Sequence, residues 1–408
     1  MRILIIGVRR PPETFLLRKF AGLIASGFEV VAATTDRSPI RCDLGIRWVT
    51  IPKTDGLRGR VATFASAVSS ALRHPTSFVS GQRAAGGKAG VRAAASALAG
   101  IHADVIHFEW NLAAVEYLPL FSWLNAPIVI SCRGSQVLVA PHNPERKSAT
   151  AGIATSFSHA AAVHCVSESV KNEAIKLGLD PDKAIVIRPA VDPVFFCPRS
   201  RPASDTYRII TTGSLGWVKG PEYGLLALRR LKDAGMRVHL TWIGTGSKHD
   251  RQRFLYTMHD LGVSDIVTLA GQMPPDKVRD ELHAADVFLL PSVSEGISNA
   301  ALEAMACGLP VVSTNAGGME EAIEDGVQGF VVNIRDAAAM AQALTVLSDP
   351  TIRARMGTAA RRRVENEFNL NGQCRMWAEL YREIGDSSAA GISKRHLLQR
   401  DQTTEVCN

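Results

Sequence analysis

The chain has 408 residues, of which 46% are hydrophobic and 21% are charged, a composition typical of soluble globular proteins and a length sufficient for two domains. No run approaches the roughly 18–20 apolar residues that a membrane-spanning helix needs. The seven cysteines (positions 42, 132, 165, 197, 307, 374 and 407) are odd in number and never spaced as CxxC. This argues against a disulfide framework or a zinc site and favours a reducing, cytoplasmic compartment.

The net charge of +7 is unevenly distributed. Residues 1–200 hold 23 Lys and Arg against 14 Asp and Glu, whereas the remainder holds 23 against 25. The segment 37–100 alone carries ten Lys and Arg and only two acidic residues. It is either an ordinary solvated surface or a surface that attracts anionic lipid headgroups or a phosphate-bearing acceptor. Peripheral attachment to the inner face of the plasma membrane is therefore an open hypothesis, whereas few aromatic residues are present to stack on nucleic acid bases.

The first half alternates between strand and helix patterns. Apolar runs of strand length are "RILIIGV", "FEVVAATT", "ADVIHFEW", "APIVISCRG" and "AAVHCVSES", and "TFLLRKFAGLIASG" has helical spacing. Short apolar stretches such as "RVATFASAVSSAL" suggest further helices, and the section around "SGQRAAGGKAG" is expected to be loosely ordered. The alternation predicts a doubly wound parallel sheet.

A segment rich in Pro, Arg and Ser, "RPAVDPVFFCPRSRPASD", interrupts the pattern before the alternation resumes with "YRIITTGS". Such a composition is typical of an interdomain linker. We therefore expect an N-terminal domain over 1–190, a linker over 191–206 and a C-terminal domain over 207–368. A C-terminal helix over 369–385 that returns to the first domain and a disordered tail over 386–408 would follow. Ligands of parallel sheets lie beyond the carboxyl ends of the strands, so two facing sheets would enclose a cleft.

The first loop of the second domain, "TTGSLGWVKG", places Gly213, Gly216 and Gly220 between a strand and a helix. Backbone N–H groups at such a position can cradle a phosphate, and Lys219 supplies a cation at the helix entry. The pattern is neither the dinucleotide GxGxxG nor a P-loop. A simple tight turn therefore remains an alternative.

The stretch "PSVSEGISNAALEAMACGLPVV" predicts a helix from about Asn299 to Cys307, with Ser298 as N-cap and Gly308 after its end. Glu295 precedes the helix and Glu303 lies one turn inside it. The N-terminus of a helix favours an anion, and Glu303 could then accept hydrogen bonds from a ribose diol. A structural cap for Glu303 and a surface position for Glu295 are the alternatives that the spacing leaves open.

The loops "WIGTGS" and "NAGGMEE" also follow strands, so all four loops converge on one edge of the sheet. Together these residues resemble the family 4 retaining glycosyltransferases (glycosyltransferase group 1 type) of the GT-B fold, two Rossmann-like domains that face each other across a cleft. Glu295 and Glu303 match the family's E-x7-E motif, "GSLGWVKG" is similar to its GRLxxxKG loop, and "IRPAVDPVFFCP" is similar to its linker. The likeness covers nearly all of residues 160–384, and "PPETFLLRKFAGLIASGFEVV" resembles a subset with P-x-x-ETF in the first loop.

The resemblance implies roles for individual residues. Lys219 would neutralise the donor diphosphate, Glu295 would contact the donor sugar, and Glu303 would bind the ribose hydroxyls rather than another side chain. Lys219, Glu295 and Arg133 are accordingly the predicted catalytic residues. The predicted donor site comprises Gly213, Ser214, Lys219, Gly244, Gln272, Met273, Glu295, Gly296, Ile297, Ser298, Asn299 and Glu303.

The sequence departs from the family pattern at two positions. Ser214 replaces the usual arginine, which removes one cation for the diphosphate, and Arg133 replaces a frequent active-site histidine. A guanidinium cannot act as a general base at neutral pH, so Arg133 would contact phosphate or acceptor instead. His107 is a further polar candidate at a strand end, with a core role left open. The predicted acceptor side comprises Glu13, His107, Arg133 and Gly134, and the family places Ser167 and Glu168 along the cleft less regularly.

The resulting hypothesis is transfer of a sugar, with retention, from a nucleotide diphosphate sugar to a hydroxyl of a saccharide or lipid-linked acceptor in polysaccharide or glycoconjugate biosynthesis. We expect no cofactor beyond the donor and no nucleic acid partner. No DxD-type pair ends a strand, so no metal site is expected. A non-catalytic nucleotide-sugar-binding protein and a GT-B nucleotide-sugar epimerase are the alternatives.

Overall fold

A computed structural model describes residues 1–39, 44–200 and 204–390 of the chain. It contains two parallel β-sheets, each covered by helices on both faces, which is the α/β architecture predicted above. The strands of the N-terminal sheet are β1 Arg2–Ile6, β2 Glu29–Thr34, β3 Arg47–Thr50, β4 Val105–Phe108, β5 Ile128–Cys132, β6 Ala162–Cys165 and β7 Ala184–Val186. Those of the C-terminal sheet are β8 Tyr207–Thr212, β9 Val238–Ile243, β10 Val267–Gly271, β11 Val287–Leu290, β12 Val311–Thr314 and β13 Gly329–Val332.

The strand order in both sheets is that of a doubly wound fold. The N-terminal sheet runs β3-β2-β1-β4-β5-β6-β7, and the C-terminal sheet runs β10-β9-β8-β11-β12-β13. The first strand of each half therefore lies in the interior of its sheet: Ile3 of β1 pairs with Val30 on one side and Val105 on the other. Beside the first strand of each sheet, successive strands stop being added on one side and are added on the other. At such a switch point a crevice opens at the carboxyl ends of the strands.

The helices connect the strands and cover the sheets. In the N-terminal half they are α1 Thr14–Ala25, α2 Gly56–Arg73, α3 Pro75–Ala85, α4 Ala89–Leu98, α5 Asn111–Tyr117, α6 Gly134–Leu138, α7 Lys147–Thr150, α8 Ile153–His159 and α9 Glu168–Lys176. In the C-terminal half they are α10 Pro221–Asp233, α11 Lys248–Asp260, α12 Pro275–Ala284, α13 Asn299–Ala306, α14 Met319–Ala322, α15 Ala337–Val346, α16 Pro350–Glu367 and α17 Leu370–Ala390. None of these helices is both long and apolar enough to cross a bilayer in the part of the chain that the structure describes.

Alternating side chains of the strands fill the space on the two faces of each sheet. On β1, Leu4 and Ile6 belong to one apolar cluster, and Ile3 and Ile5 belong to the cluster on the opposite face. Successive side chains of a strand point to opposite faces, so an unbroken apolar run indicates a strand that is buried on both sides. This is why "RILIIGV" and the similar runs could be identified as parallel strands.

The last helix crosses back to the N-terminal half. After α16 the Leu370 N–H donates to the carbonyl oxygen of Val191 (3.0 Å). The Val191 N–H donates in turn to the carbonyl oxygen of Phe368 (2.9 Å). Helix α17 then packs on α1 and β4, where Trp377 and Tyr381 are buried in the same cluster as Ile3 and Ile5. Consequently one face of the N-terminal sheet is completed by residues from the far end of the chain.

Some sequence-based expectations are corrected by the structure. The section around "SGQRAAGGKAG" is not loosely ordered, because α3 and α4 occupy it with a short turn at Gly86 between them. Strands β3, β7 and β13 were not predicted, and α17 continues to Ala390, five residues beyond the expected end at 385. Residues 391–408 of the predicted tail and 201–203 of the predicted linker lie outside the described residues.

Candidate active site

Three neighbouring cavities lie at the carboxyl ends of the strands. A cavity of about 410 Å³, here called the C-terminal cavity, is lined only by residues of the C-terminal half, from Thr212 at the end of β8 to Glu303. A cavity of about 490 Å³, the interdomain cavity, is lined by both halves of the chain. The two cavities share a wall formed by Lys219, Glu295, Ile297 and Asn299. A third cavity of about 720 Å³, the N-terminal cavity, is lined by residues such as Arg9, Glu13, Lys88, Trp110 and Glu116.

Lys219 is held in the shared wall by a tight turn. A 3₁₀ turn over Trp217–Lys219 ends at Gly220, whose φ is +59° and whose Cβ position is blocked by the carbonyl oxygen of Pro291. Only glycine combines this φ with so close a backbone approach. The Val293 N–H donates to the carbonyl oxygen of Val218 (2.7 Å), so the loops after β8 and β11 are fastened together.

This fastening places the predicted catalytic lysine beside the predicted catalytic glutamate. Lys219 Nζ donates to Glu295 Oε1 at 2.5 Å, and Ser292 Oγ donates to the same oxygen at 2.8 Å. The side chains are partly exposed, 25% for Lys219 and 10% for Glu295. The ammonium group is thus fixed at the cavity wall and still accessible to an incoming anion.

Helix α13 begins at the same wall. Ser298 is its N-cap, with Oγ accepting from the Ala301 N–H (3.4 Å), and Gly308 follows its end with a φ of +73°. The predicted span to Cys307 is one residue too long, because Cys307 is the C-cap. Asn299 Oδ1 is buried and has no hydrogen-bond partner among the described residues. Because Ile297 and Asn299 line both cavities, the positive end of the helix dipole lies at their shared wall.

Glu303 lines the C-terminal cavity and also forms an ion pair with another side chain. Arg18 Nη2 from α1 donates to Glu303 Oε1 at 3.1 Å, with side-chain exposures of 14% and 17%. The expectation that no side chain pairs with Glu303 is wrong. Burial raises the pKa of Glu303, against the opposing effect of the Arg18 charge. Because Arg18 belongs to the N-terminal half, this ion pair also joins the two halves across the cleft.

The structure brings the remaining predicted donor residues to the same two cavities. Gly244 has a φ of +146°, and its Cβ position is occupied by the carbonyl oxygen of Gly213. Ser214 and Gly296 line the interdomain cavity, while Gly213, Gly244, Gln272, Met273 and Ser298 line the C-terminal cavity.

On the N-terminal side, Arg133 is held on three sides. Its Nη2 donates to Glu109 Oε2 (2.7 Å), its Nε donates to the Glu109 carbonyl oxygen (3.2 Å), and its guanidinium lies 4.6 Å from the Phe15 ring centroid. Next to it, a Cβ on Gly134 would lie 2.8 Å from the Gly296 nitrogen. The two halves of the chain therefore touch beside Arg133, which lines the interdomain cavity.

Arg133 belongs to a buried charge cluster that the sequence did not predict. Lys19 Nζ donates to Glu109 Oε1 (2.6 Å) and lies 3.5 Å from the Trp377 ring centroid. Burial lowers the pKa of Lys19 to about 8, with Glu109 opposing the shift. Burial alone would raise the pKa of Glu109, but the charges of Lys19 and Arg133 hold it well below its ordinary value. Glu109 is therefore a carboxylate that anchors two cations at the floor of the cavity.

His107 is not an acceptor-side residue. It is buried in β4, contributes to none of the three cavities described above, and belongs to a hydrogen-bonded chain that ends at the Ile187 carbonyl oxygen. His164 Nε2 donates to that oxygen (2.9 Å), so its Nδ1 accepts from the Ser131 hydroxyl (2.8 Å). Ser131 Oγ accepts in turn from His107 Nε2 (2.8 Å), whose Nδ1 accepts from Tyr381 (2.6 Å).

Both histidines are neutral in this arrangement. Burial lowers the pKa of His164 to about 3, assisted by Arg133, and burial together with Lys19 lowers the pKa of His107. His164 lines the interdomain cavity although sequence reasoning passed over it. Since all four ring nitrogens are engaged, neither histidine is placed to remove a proton from an acceptor.

The other predicted acceptor-side residues lie in different places. Glu13 lines the N-terminal cavity, and Gly134 lines the interdomain cavity. Ser167 is the N-cap of α9 and Glu168 pairs with Lys171 (3.2 Å), so both act on their own helix. Within the ranges 1–39, 44–200 and 204–390, no three His, Cys, Asp or Glu side chains are grouped so that they could hold a metal ion.

Comparison with known protein families gives two matches that together span most of the chain. Residues 13–195 match the model described as Glycosyltransferase Family 4, and residues 206–349 match the model described as Glycosyl transferases group 1.

Two relatives illustrate the extent of the sequence likeness. The putative colanic acid biosynthesis glycosyltransferase WcaL of Escherichia coli K12 is 38% identical over 203 residues, which cover 48% of this chain and 50% of that protein. The D-inositol 3-phosphate glycosyltransferase of Pseudarthrobacter chlorophenolicus is 30% identical over 280 residues, which cover 64% and 67%. The chain spans about half the length of several curated relatives that it matches, WcaL among them.

Solved structures share the fold over nearly the whole chain. Sucrose-phosphate synthase from Thermosynechococcus elongatus superposes with a TM-score of 0.77 at 20% identity, covering 95% of this chain and 100% of that one. Anabaena Alr3699/HepE in complex with UDP and glucose superposes with a TM-score of 0.71 at 17% identity, covering 93% and 99%. At these identities the likeness concerns the fold.

Proposed function

The chain belongs to the family 4 glycosyltransferases and has their GT-B fold, and from this premise we propose that it transfers a sugar from a nucleotide diphosphate sugar to a hydroxyl group, with retention at the anomeric carbon. The observation that carries the proposal is the convergence of Lys219, Glu295 and the N-terminus of α13 on the wall between two cavities. A cation and a helix N-terminus both stabilise a bound diphosphate.

The C-terminal cavity is the proposed nucleotide site. Its volume and its backbone-lined wall at Gly213 and Gly244 suit a nucleoside, and Glu303 lies at its edge for the ribose hydroxyls. The solved structures of Alr3699/HepE with UDP and with UDP-glucose, which share the fold, support a uridine nucleotide as the first donor to test. In this scheme the ribose hydroxyls take the place of Arg18 on the Glu303 carboxylate.

Catalysis would rest on stabilising the departing diphosphate. The bond from the anomeric carbon to the phosphate oxygen breaks, the acceptor oxygen bonds to that carbon on the same face, and the acceptor proton leaves with the diphosphate. Negative charge develops on the phosphate oxygen, where Lys219 and the first turn of α13 are preorganised to meet it. When the diphosphate binds Lys219, Glu295 becomes available to accept hydrogen bonds from the donor sugar.

The N-terminal half would supply the acceptor. The interdomain cavity brings Arg133 and Trp110 opposite Glu295, and the adjoining N-terminal cavity offers Glu13, Glu116 and Lys88 as polar contacts for hydroxyl groups. Relatives named for colanic acid and amylovoran biosynthesis support a saccharide or lipid-linked saccharide as acceptor and a role in polysaccharide biosynthesis. Arg133 is a cation and both nearby histidines are neutral and fully bonded, so none of these three side chains serves as base.

A panel of nucleotide diphosphate sugars tests the proposal. The protein is incubated with each donor and with saccharide acceptors, and nucleoside diphosphate release and the new glycoside are followed by NMR, which also gives the anomeric configuration. The expected product keeps the configuration of the donor, and activity persists with a chelator because the proposed chemistry uses no metal.

The same panel separates the alternatives. An isomerised nucleotide sugar without acceptor would identify an epimerase. Donor binding, seen as a rise in melting temperature, without release or transfer under any condition would identify a binding protein. An inverted glycoside would contradict the retaining mechanism.

A further inference from the structure

Helix α2 presents its large apolar side chains to solvent. Leu57, Val61, Phe64, Val68 and Leu72 have exposed fractions of 80%, 61%, 72%, 43% and 79%. Their spacing places all five within an arc of about 80° on the helix, at 3.6 residues per turn. We call this set the α2 stripe. A contiguous apolar surface of this kind on a folded chain marks an interaction site.

The opposite face of α2, not the stripe, is the one that packs on the protein. Helix α2 contacts α3 and α4, and the half-buried residues on that side are small, including Ala62, Ser66 and Ser70. The Ser70 hydroxyl donates to the Ser96 carbonyl oxygen in α4, and no residue of α2 is buried. The orientation is therefore the reverse of that of an ordinary surface helix.

The charges beside the α2 stripe are all positive. At helical spacing Arg58 and Arg60 lie on either side of the stripe, and Arg73 ends the helix. All three are exposed and form no salt bridge with any described residue. Asp55, at the N-cap, is the single acidic residue between positions 44 and 100. The surface thus combines an apolar stripe with cationic flanks.

We propose that helix α2 lies on the surface of an anionic lipid bilayer, with the α2 stripe inserted at the boundary between headgroups and acyl chains and with Arg58 and Arg60 on the lipid phosphates. Helices that lie in a membrane interface have this combination of an apolar face and basic flanks. A second copy of the chain fits less well, because pairing two α2 stripes would bring arginine rows together with no acidic residue on the helix to compensate them.

The docked orientation has a consequence for the site. Helix α4 packs on α2, and Lys88 at the N-cap of α4 lines the N-terminal cavity. A bilayer under α2 would therefore lie near the proposed acceptor cavity, within reach of a lipid-linked saccharide. This consequence rests on the proposed function, whereas the lipid contact itself does not.

Co-sedimentation with vesicles tests the contact. The full chain is mixed with phosphatidylcholine vesicles that contain or lack phosphatidylglycerol, at low and high salt. We expect binding that requires the anionic lipid and weakens with salt, because exposed charges are screened. In Arg58→Gln/Arg60→Gln, affinity should fall about 25-fold, at about fivefold for each arginine. In Phe64→Gln/Leu72→Gln it should fall at least tenfold.

Matched variants on α11 of the C-terminal half control for the loss of charge and of apolar surface. These are Lys248→Gln/Arg251→Gln and Leu255→Gln/Tyr256→Gln, whose residues are exposed, and they should bind vesicles like the wild type. All changed side chains are exposed, so circular dichroism and nucleotide binding should be unaltered in every variant. No binding by the wild type, or equal binding by the stripe variants, would overturn the proposal whatever the enzyme activity proves to be. A wild-type dimer that the stripe variants convert to monomer, without vesicle binding, would assign the stripe to self-association.

Discussion

Lys219 and Glu295 lie side by side because the loops after β8 and β11 are hydrogen-bonded to each other through Val218 and Val293. The sequence predicted separate roles for the two side chains, one on the diphosphate and one on the sugar. The structure adds that each is the other's partner. A donor diphosphate that binds here competes with Glu295 for the Lys219 ammonium. Diphosphate binding would therefore free the Glu295 carboxylate from Lys219.

Removal of the Lys219 charge should affect turnover far more than folding. A preorganised group that stabilises the transition state typically contributes on the order of 10²–10³ in rate, so we expect that loss in kcat for Lys219→Ala. The melting temperature should change little, because Lys219 is partly exposed. Lys219→Arg, which keeps the charge, should retain more activity than the alanine variant. Steady-state kinetics with a saturating donor measure kcat for both variants. Near-normal turnover of Lys219→Ala would contradict a role of Lys219 in stabilising the departing diphosphate.

Arg18 should compete with nucleotide for Glu303. Without the guanidinium, the Glu303 carboxylate is free for a ribose diol, so we expect Arg18→Ala to bind nucleoside diphosphate about two- to fivefold more tightly, the upper range measured for ion pairs near the surface. The gain should vanish with a 2′,3′-dideoxy nucleotide. Calorimetric titration measures both affinities. Unchanged or weaker binding of the ribonucleotide by Arg18→Ala would show that Glu303 serves the domain contact instead.

The site could be predicted from sequence where it depends on one loop and not where it depends on two distant segments. Every predicted donor residue lines one of the two cavities, since each follows a strand whose end could be located from its apolar run. Lys19 and Glu109 are separated by 90 positions in the sequence. Hydrophobic periodicity predicts which face of a helix is buried, but it does not predict which distant side chain packs against that face. For the same reason His107 could not be distinguished from a cavity residue, and Arg18 could not be assigned to Glu303.

Among the elements, the long apolar strands and the helix at 299–306 were predicted, whereas three short strands were not. Strand β3 (Arg47–Thr50) contains a charged and a polar residue in four, and β7 has three residues. These lie at the edges of the sheet, where one neighbouring strand is missing and the apolar requirement is weaker. A C-terminal helix over 369–385 that returns to the first domain was expected. The structure adds the Val191–Asn369 bridge just before α17 and the packing of α17 on α1 and β4.

Helix α17 should stabilise the N-terminal half through Trp377. The Trp377 indole is buried, stacks on Tyr381 (centroids 5.6 Å apart) and lies over the Lys19 ammonium. Trp377→Ala should therefore lower the free energy of unfolding by about 3–5 kcal/mol. The neighbouring Met376 is 46% exposed on the same helix, and Met376→Ala should change it by less than about 0.5 kcal/mol. Denaturant unfolding followed by fluorescence and circular dichroism compares them. Equal effects would mean that α17 does not support the sheet.

At the scale of the whole molecule, the two halves are held together by polar contacts across the cleft. Arg18 binds Glu303, and Glu321 accepts from the Arg188 guanidinium (3.0 Å) and the Ser169 N–H (3.1 Å). The backbones meet at Gly134 and Gly296. Such interfaces are polar and small compared with a core, which permits opening for substrate entry and closure around it.

The buried histidines should make the molecule sensitive to mild acid. His164, with a pKa of about 3, and His107, with a pKa well below its ordinary value, stay neutral when folded but take up protons near pH 6.5 when unfolded. The unfolded state thus binds more protons below pH 6.5, and stability is lost as the pH falls, by at most about 2.7 kcal/mol per unit for two groups. Unfolding free energies between pH 5 and about 6.5 should show this slope. His164→Gln should reduce this slope by the contribution of one proton, about 1.4 kcal/mol per pH unit. The exposed control His249→Gln should leave the slope unchanged. An unchanged slope in His164→Gln would contradict the assignment.

The central claim is that a donor diphosphate is held between Lys219 and the N-terminus of α13. Its most direct test is calorimetric titration of the wild-type chain with a nucleoside, the nucleoside monophosphate and the nucleoside diphosphate of the preferred base. We expect affinity to rise steeply with the second phosphate and this increment to be mostly lost in Lys219→Ala. Equal affinity for nucleoside and nucleoside diphosphate, or an increment that survives without the Lys219 ammonium, would contradict it.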